Sequence, residues 1–278
     1  MNNFFALVSL CFTLDFVKRA FIVGILVSLC AALLGVTLTL KRYAMIGDGL
    51  SHVGFATLSV AAVLNLSNSL IISIPVVIVA AFLLLRLNES GKIKGDSAIA
   101  IISTSAIAVG YVISYRLPGS SGKDVCSYMF GSLLTISKAD LLPCIILSAV
   151  VIITFILLYN RIFAITFDRD FSHATGVPTR IYNDLLALLT AVTIVLGMKI
   201  MGTLLISALV VFPALTSKTV CKSFKGMIIL SAAVSVVCCV LGIIAGAVFD
   251  TPAGSTVVIF NLLAFILFAC GSRILKKS

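Results

Sequence analysis

Apolar segments of membrane-spanning length follow one another along this chain with almost nothing between them. They are residues 16–40, 45–64, 69–87, 97–115, 141–159, 181–197, 200–217, 226–248 and 255–273. A helix needs about 20 mostly apolar residues to cross a bilayer, and in hydrocarbon it satisfies its own backbone groups. No connection between the segments is long enough to hold a soluble domain. The chain is 61% hydrophobic and 11% charged, where soluble domains run nearer a quarter charged. Residues 1–278 therefore read as a single all-α transmembrane domain, a polytopic helical bundle of about nine spans, with eight possible. Pro213 is expected to kink or break the seventh span, because proline removes a helix hydrogen bond. The short apolar stretch 4–14 lacks the basic flank and small-residue cleavage site of a signal peptide.

The net charge is +10. In a soluble protein that would point to nucleic acid. Here the basic residues punctuate span ends, where the positive-inside rule explains them, so no nucleic-acid partner is expected. Placing the loop 161–180 in the cytoplasm puts most of the 20 Lys and Arg on that side, with Lys18 and Arg19 left outside. The N-terminus is then outside and the C-terminus cytoplasmic. The eight cysteines form no C-x-x-C pair and fall mostly in apolar runs, where a thiol packs as a small hydrophobe. Gly242 and Gly246 form a G-x-x-x-G pattern that lets helices approach closely. Packing inside the bundle is favoured over a dimer contact.

Charged and titratable residues inside a span are costly and mark a pathway or a ligand. Met45-Ile-Gly-Asp-Gly-Leu-Ser-His-Val53 places Asp48 and His52, one of two histidines, four residues apart. On a helix those positions share a face. Carboxylate and imidazole are both ligands for zinc and other divalent first-row ions. The alternative is a structural polar pair satisfied by neighbouring helices. Two ligands cannot hold such an ion, but two copies of the chain about a two-fold axis would supply four, the number a tetrahedral site needs.

The segment Phe167-Asp-Arg-Asp-Phe-Ser-His-Ala-Thr-Gly-Val-Pro178 carries helix signals at both ends. Asp168 suits the N-cap and Asp170 the helix dipole. Gly176 and Pro178 suit the stop. Phe171 and Ala174 give an apolar stripe. The segment reads either as a capped connector or as a docking knob; His173 reads as an exposed or capping residue. The outer connection 116–140 lines a mouth, meets an external partner, or is a solvated turn. Asp250 falls in a turn sequence. There is no P-loop, no H-E-x-x-H and no visible nucleophile set. The acids are also too few for a proton relay across the bundle. Energised transport would have to draw on another subunit, and the chain is not expected to be an enzyme.

These elements, in order, resemble the membrane permease of ABC importers for zinc, manganese and iron. The resemblance spans nearly the whole chain. It rests on the run from Phe16 into the Gly47-Asp-Gly-Leu-Ser-His52 element, and on Tyr128-Met-Phe-Gly-Ser132. It rests further on Phe167–Pro178, on Met201-Gly-Thr-Leu-Leu-Ile-Ser-Ala-Leu-Val-Val-Phe-Pro-Ala214, and on Thr251-Pro-Ala-Gly-Ser255. The resemblance implies that Asp48 and His52 handle the metal and that Phe167, Asp168, Asp170, Phe171, Ala174, Gly176 and Pro178 form a short cytoplasmic coupling helix. It implies a cytoplasmic ABC ATPase, an extracellular or periplasmic metal-binding protein and a second permease copy. The place is the cytoplasmic membrane of a prokaryote, in lipid, and the transported metal is zinc ahead of manganese or iron. A stand-alone gradient-driven carrier is the other reading. Gly49 and Gly54 stand where many relatives have alanine or other small residues. Because glycine weakens a helix, the span is expected to be locally irregular around Asp48 and His52.

Overall fold

The computed structural model describes residues 15–64, 70–89, 95–115, 131, 138–249 and 251–275, and these are helical with no strand among them. In order the helices are α1 (Asp15–Leu40), α2 (Ile46–Val63), α3 (Leu70–Glu89), α4 (Gly95–Tyr115), α5 (Lys138–Leu157) and α6 (Tyr159–Phe167). There follow α7 (Arg169–Ala174), α8 (Thr179–Met201), α9 (Thr203–Val220), α10 (Phe224–Val248) and α11 (Ala253–Leu275).

Among the described residues seven helices are long and apolar enough to cross a membrane, and the pair α5–α6, bent by 72°, makes an eighth if it is one span. The expectation of nine is corrected in two places. The third segment is the helix α3, which runs through Pro75; its apolar stretch Ile72–Arg86 is shorter than the seven spans. The fifth does not run straight to Tyr159: the helix breaks at Leu158 and α6 turns away as a separate amphipathic piece. Pro213 does not break α9, which runs unbroken through it. The interruption falls at Gly202 instead, where φ is +89°, a conformation open chiefly to glycine.

Close approach is built on glycine. Val210 of α9 sits against two of them, its carbonyl against the Cβ position of Gly35 and its side chain 3.6 Å from that of Gly47. A Cβ on Gly242 would lie 2.5 Å from the Cα of Val257, and one on Gly246 would lie 2.9 Å from the Cα of Ala253. The G-x-x-x-G stripe is therefore the α10–α11 contact within one chain. Helices in lipid lack a hydrophobic drive to associate, so close packing and interhelical hydrogen bonds do that work. The buried Ser235 hydroxyl donates to the carbonyl of Ser28 at 2.9 Å, tying α10 to α1. Ser114 donates to Ser59 at 2.9 Å, tying α4 to α2.

One end of the bundle collects the turn after α1, the start of α2, α6, α7 and the starts of α8 and α10. Lys41 of α1 reaches Asn183 of α8 there, and Tyr159 stacks 5.6 Å from Phe224. Arg42, Arg86, Arg161, Arg180, Lys218, Lys222 and Lys225 are all exposed at that end. At the other end Gly131, with φ +62°, rests on the backbone of Met201 and Gly202. The rest of the outer connection up to residue 137, the stretch 4–14 and Asp250 lie outside the described residues.

Candidate metal centre

The helix that carries the pair starts without a side-chain cap at Met45. Asp48 lies in its first turn, where the exposed N–H groups and the helix dipole favour a carboxylate. His52 follows one turn on. At about 1.5 Å per residue the two stand about 3 and about 9 Å along the axis from Ile46. The helix is regular from Ile46 to Val63, so the irregularity expected from Gly49 and Gly54 is absent. Both glycines are contact points instead. A Cβ on Gly49 would be 2.9 Å from Ile99 of α4, and one on Gly54 would be 2.7 Å from Met198 of α8. The missing side chains let α2 wedge among its neighbours, and tertiary packing outweighs the weak propensity.

His52 Nε2 lies 3.4 Å from Asp48 Oδ1, with the side chains 14% and 38% exposed. That is long for an N–H···O hydrogen bond, whose usual length is about 2.9–3.0 Å. Two donors each about 2.1 Å from one ion at the tetrahedral angle are about 3.4 Å apart. The spacing fits two ligands of one ion, and it also fits an i,i+4 ion-pair contact. No group of three or more His, Cys, Asp or Glu side chains able to hold an ion occurs among the described residues. By itself the pair supplies two donor side chains. Of the described cysteines, Cys30, Cys144, Cys238 and Cys239 are buried, and none is in a disulfide.

The second candidate element folds as its signals suggest. Asp168 Oδ1 accepts from the Phe171 N–H at 2.8 Å and caps α7, with Asp170 exposed in the first turn. The helix ends in a Schellman motif. Gly176 N–H donates to the His173 carbonyl at 3.1 Å, and Val177 N–H to that of Ser172 at 3.0 Å. Gly176 has φ +81°. Pro178 is the N-cap of α8. Phe171 is 65% exposed, and His173 and Ala174 beside it are exposed too. Val177, by contrast, is buried among Ile162, Ile165, Leu186 and Phe224. Phe167 packs against Phe163 at 5.0 Å and Phe224 at 5.9 Å. A six-residue helix is too short to be stable alone; its cap, its end motif and the Val177 anchor hold an apolar knob out from the bundle.

The sequence of this chain matches the profile of the ABC 3 transport family over residues 13–271. The chain belongs to the ABC 3 transport family. It is 30% identical over 261 residues to an uncharacterized membrane protein of Cyanophora paradoxa, covering 92% of this chain and 86% of that one. It is 28% identical to the manganese transport system membrane protein MntC of Halalkalibacterium halodurans, with 92% and 86% covered. It is 29% identical to the high-affinity zinc uptake system membrane protein ZnuB of Haemophilus influenzae, with 89% and 94% covered. A solved structure titled PsaBC from Streptococcus pneumoniae in complex with Fab superposes with a TM-score of 0.85 at 27% identity, over 98% of both chains. Relatives of this ABC 3 chain are thus membrane proteins of transport or uptake systems named for manganese, zinc and, in Yersinia pestis, chelated iron. That range corrects the expectation that zinc leads: no single metal is favoured.

Sequence reasoning missed Lys41, Asn183 and Val177. A lysine at a span end is fully explained by membrane sidedness, and its partner lies 142 residues away, so no local pattern marks the contact.

Proposed function

We propose that this chain is the permease subunit of an ATP-driven importer that carries a divalent transition metal by alternating access. Two copies, related by a two-fold axis, bring two Asp48–His52 pairs together and complete a four-ligand site. The observation that carries this is the 3.4 Å spacing of the two donor atoms on one face of α2, in a chain whose relatives are named for metals. His52 ligates as neutral imidazole and Asp48 as carboxylate, so loading the ion releases protons and uptake falls in acid.

The end bearing α7 faces the cytoplasm of a prokaryotic cell, and the C-terminus lies on the same side. Phe171 and Ala174 dock into an ABC ATPase, which supplies the energy that this chain has no motif to supply. A metal-binding protein docks outside, near Gly131 and the Gly202 break, and hands the ion in. When the ATPase closes, α7 moves, α8 moves with it, and the path past Asp48 opens inward. The capped, outward-held knob favours an ATPase-driven permease over a stand-alone carrier, which has no use for one. In proteoliposomes holding the whole complex, D48A and H52A should each abolish metal uptake while the ATPase stays bound. Normal uptake by either variant would end the assignment.

A further inference from the structure

On the transport reading the coupling knob and the metal pair communicate, and the described residues include a polar link between their supports. Lys41, the C-cap of α1, donates through Nζ to Asn183 Oδ1 at 2.5 Å. Asn183 lies one turn into α8, five residues after Pro178 and six after the buried Val177. On the other side, Lys41 leads through four residues to Ile46 and so to Asp48. That connection is stiff. Arg42 N–H donates to the Thr39 carbonyl at 3.3 Å and Tyr43 N–H to that of Leu38 at 2.8 Å, a Schellman closure with arginine at φ +63° where glycine is usual. An arginine held there is strained by about 1–2 kcal/mol, and such strain persists only where the surroundings impose it. The turn is thus a closed, hydrogen-bonded joint between α1 and α2.

The junction holds one small gap. A cavity of ≈ 20 Å³ opens between α1, α2, α3 and α8, lined by Thr37, Lys41, Tyr43, Asn183, Ala187 and Thr190 among others. That is about the room one water needs. Buried apolar side chains, Leu38, Ile46, Leu50 and Ala187 among them, close around it, and the Lys41–Asn183 contact is the polar tie between α1 and α8 beside that gap.

We propose that Lys41 and Asn183 are positioning residues, a latch that makes the start of α2 follow α8 when the coupling helix is pushed. Neither touches the metal. The inference rests on the transport reading above, and its test separates the two. K41M keeps the stem and removes the donor; N183L removes the acceptor; N183D offers Lys41 a carboxylate instead. The complete complex with its ATPase, in proteoliposomes, is assayed for manganese taken up per ATP hydrolysed, and separately for equilibrium manganese binding.

A hydrogen bond to a charged group carries enough energy for K41M and N183L each to lower uptake per ATP about fivefold or more. Manganese affinity should stay within about twofold of wild type, because Asp48 and His52 are intact. The K41M/N183L double variant should be no worse than either single, and N183D should keep at least half of wild-type coupling. Additive losses, unchanged coupling in either single variant, or loss of manganese binding alongside coupling would each overturn the latch. D48A run beside them reports on the metal site alone: uptake by D48A would refute the transport reading whatever the latch variants do.

Discussion

Gly176 isolates the contribution of one backbone angle to the coupling knob. A Cβ there would meet nothing within 4 Å, so G176A adds no clash and removes no contact. Its whole cost is holding alanine at φ +81°, about 1–2 kcal/mol for an L-residue in the left-handed region. That is a factor of about 5–30 in an equilibrium. Nothing nearby offsets it. The helix behind the turn has six residues, below the about 12–15 that stand alone, and its end is held by three backbone bonds, to Phe171, Ser172 and His173, two of them made by Gly176 and Val177. Opening the turn therefore releases α7 and loosens Val177 from its pocket. The direct assay is amide hydrogen exchange on peptides covering 167–178, in the chain reconstituted in nanodiscs. Exchange at Ser172, Thr175, Gly176 and Val177 should speed up about 5–30-fold in G176A, with the remainder of α8 unchanged. G176N, whose side chain tolerates this region, should lose much less. In the full complex, metal uptake per ATP should fall in G176A and stay near wild type in G176N. Equal exchange in wild type and G176A would refute the reasoning, and so would equal damage from both substitutions.

Three further outcomes follow from the same geometry. D168A removes the cap on the Phe171 N–H and should destabilise the knob by about 0.5–2 kcal/mol; D168N should restore most of it, as read by exchange over the same peptides. F171D places a charge on the exposed tip of α7 without touching the core, so the chain should keep its thermal stability yet fail to co-purify with its ATPase; normal co-purification would remove Phe171 from the docking face. G242A forces a methyl into the backbone of Val257 and should cost about 1–3 kcal/mol, seen as a lower midpoint of thermal aggregation in detergent, whereas G271A, with nothing within 4 Å, should be neutral.

Local signals were legible wherever the cause is local. Asp168, Gly176 and Pro178 announce a capped helix, and the structure builds it from them. The spacing of Asp48 and His52 gives a shared face on any helix, and α2 is one. The sequence misleads where neighbours decide. Gly49 and Gly54 read as helix-weakening, yet they let α4 and α8 come close enough to hold α2 straight. Pro213 reads as a break and lies in a continuous helix, while the real break is at Gly202, immediately before α9, where a positive φ is needed. Hydropathy averages blurred the fifth span because the turn at Leu158 bends the chain by 72° without changing its apolar content. The Lys41–Asn183 contact had no signal at all, since it is made between residues far apart in the chain.

The central claim is that Asp48 and His52 form half of a metal site that a second copy completes. The most direct test is the stoichiometry and affinity of manganese or zinc binding to the purified, detergent-solubilised assembly, by equilibrium dialysis with metal analysis. The account predicts one tightly bound ion per two chains, lost in both D48A and H52A. One ion per single chain, or binding that survives both substitutions, would contradict it.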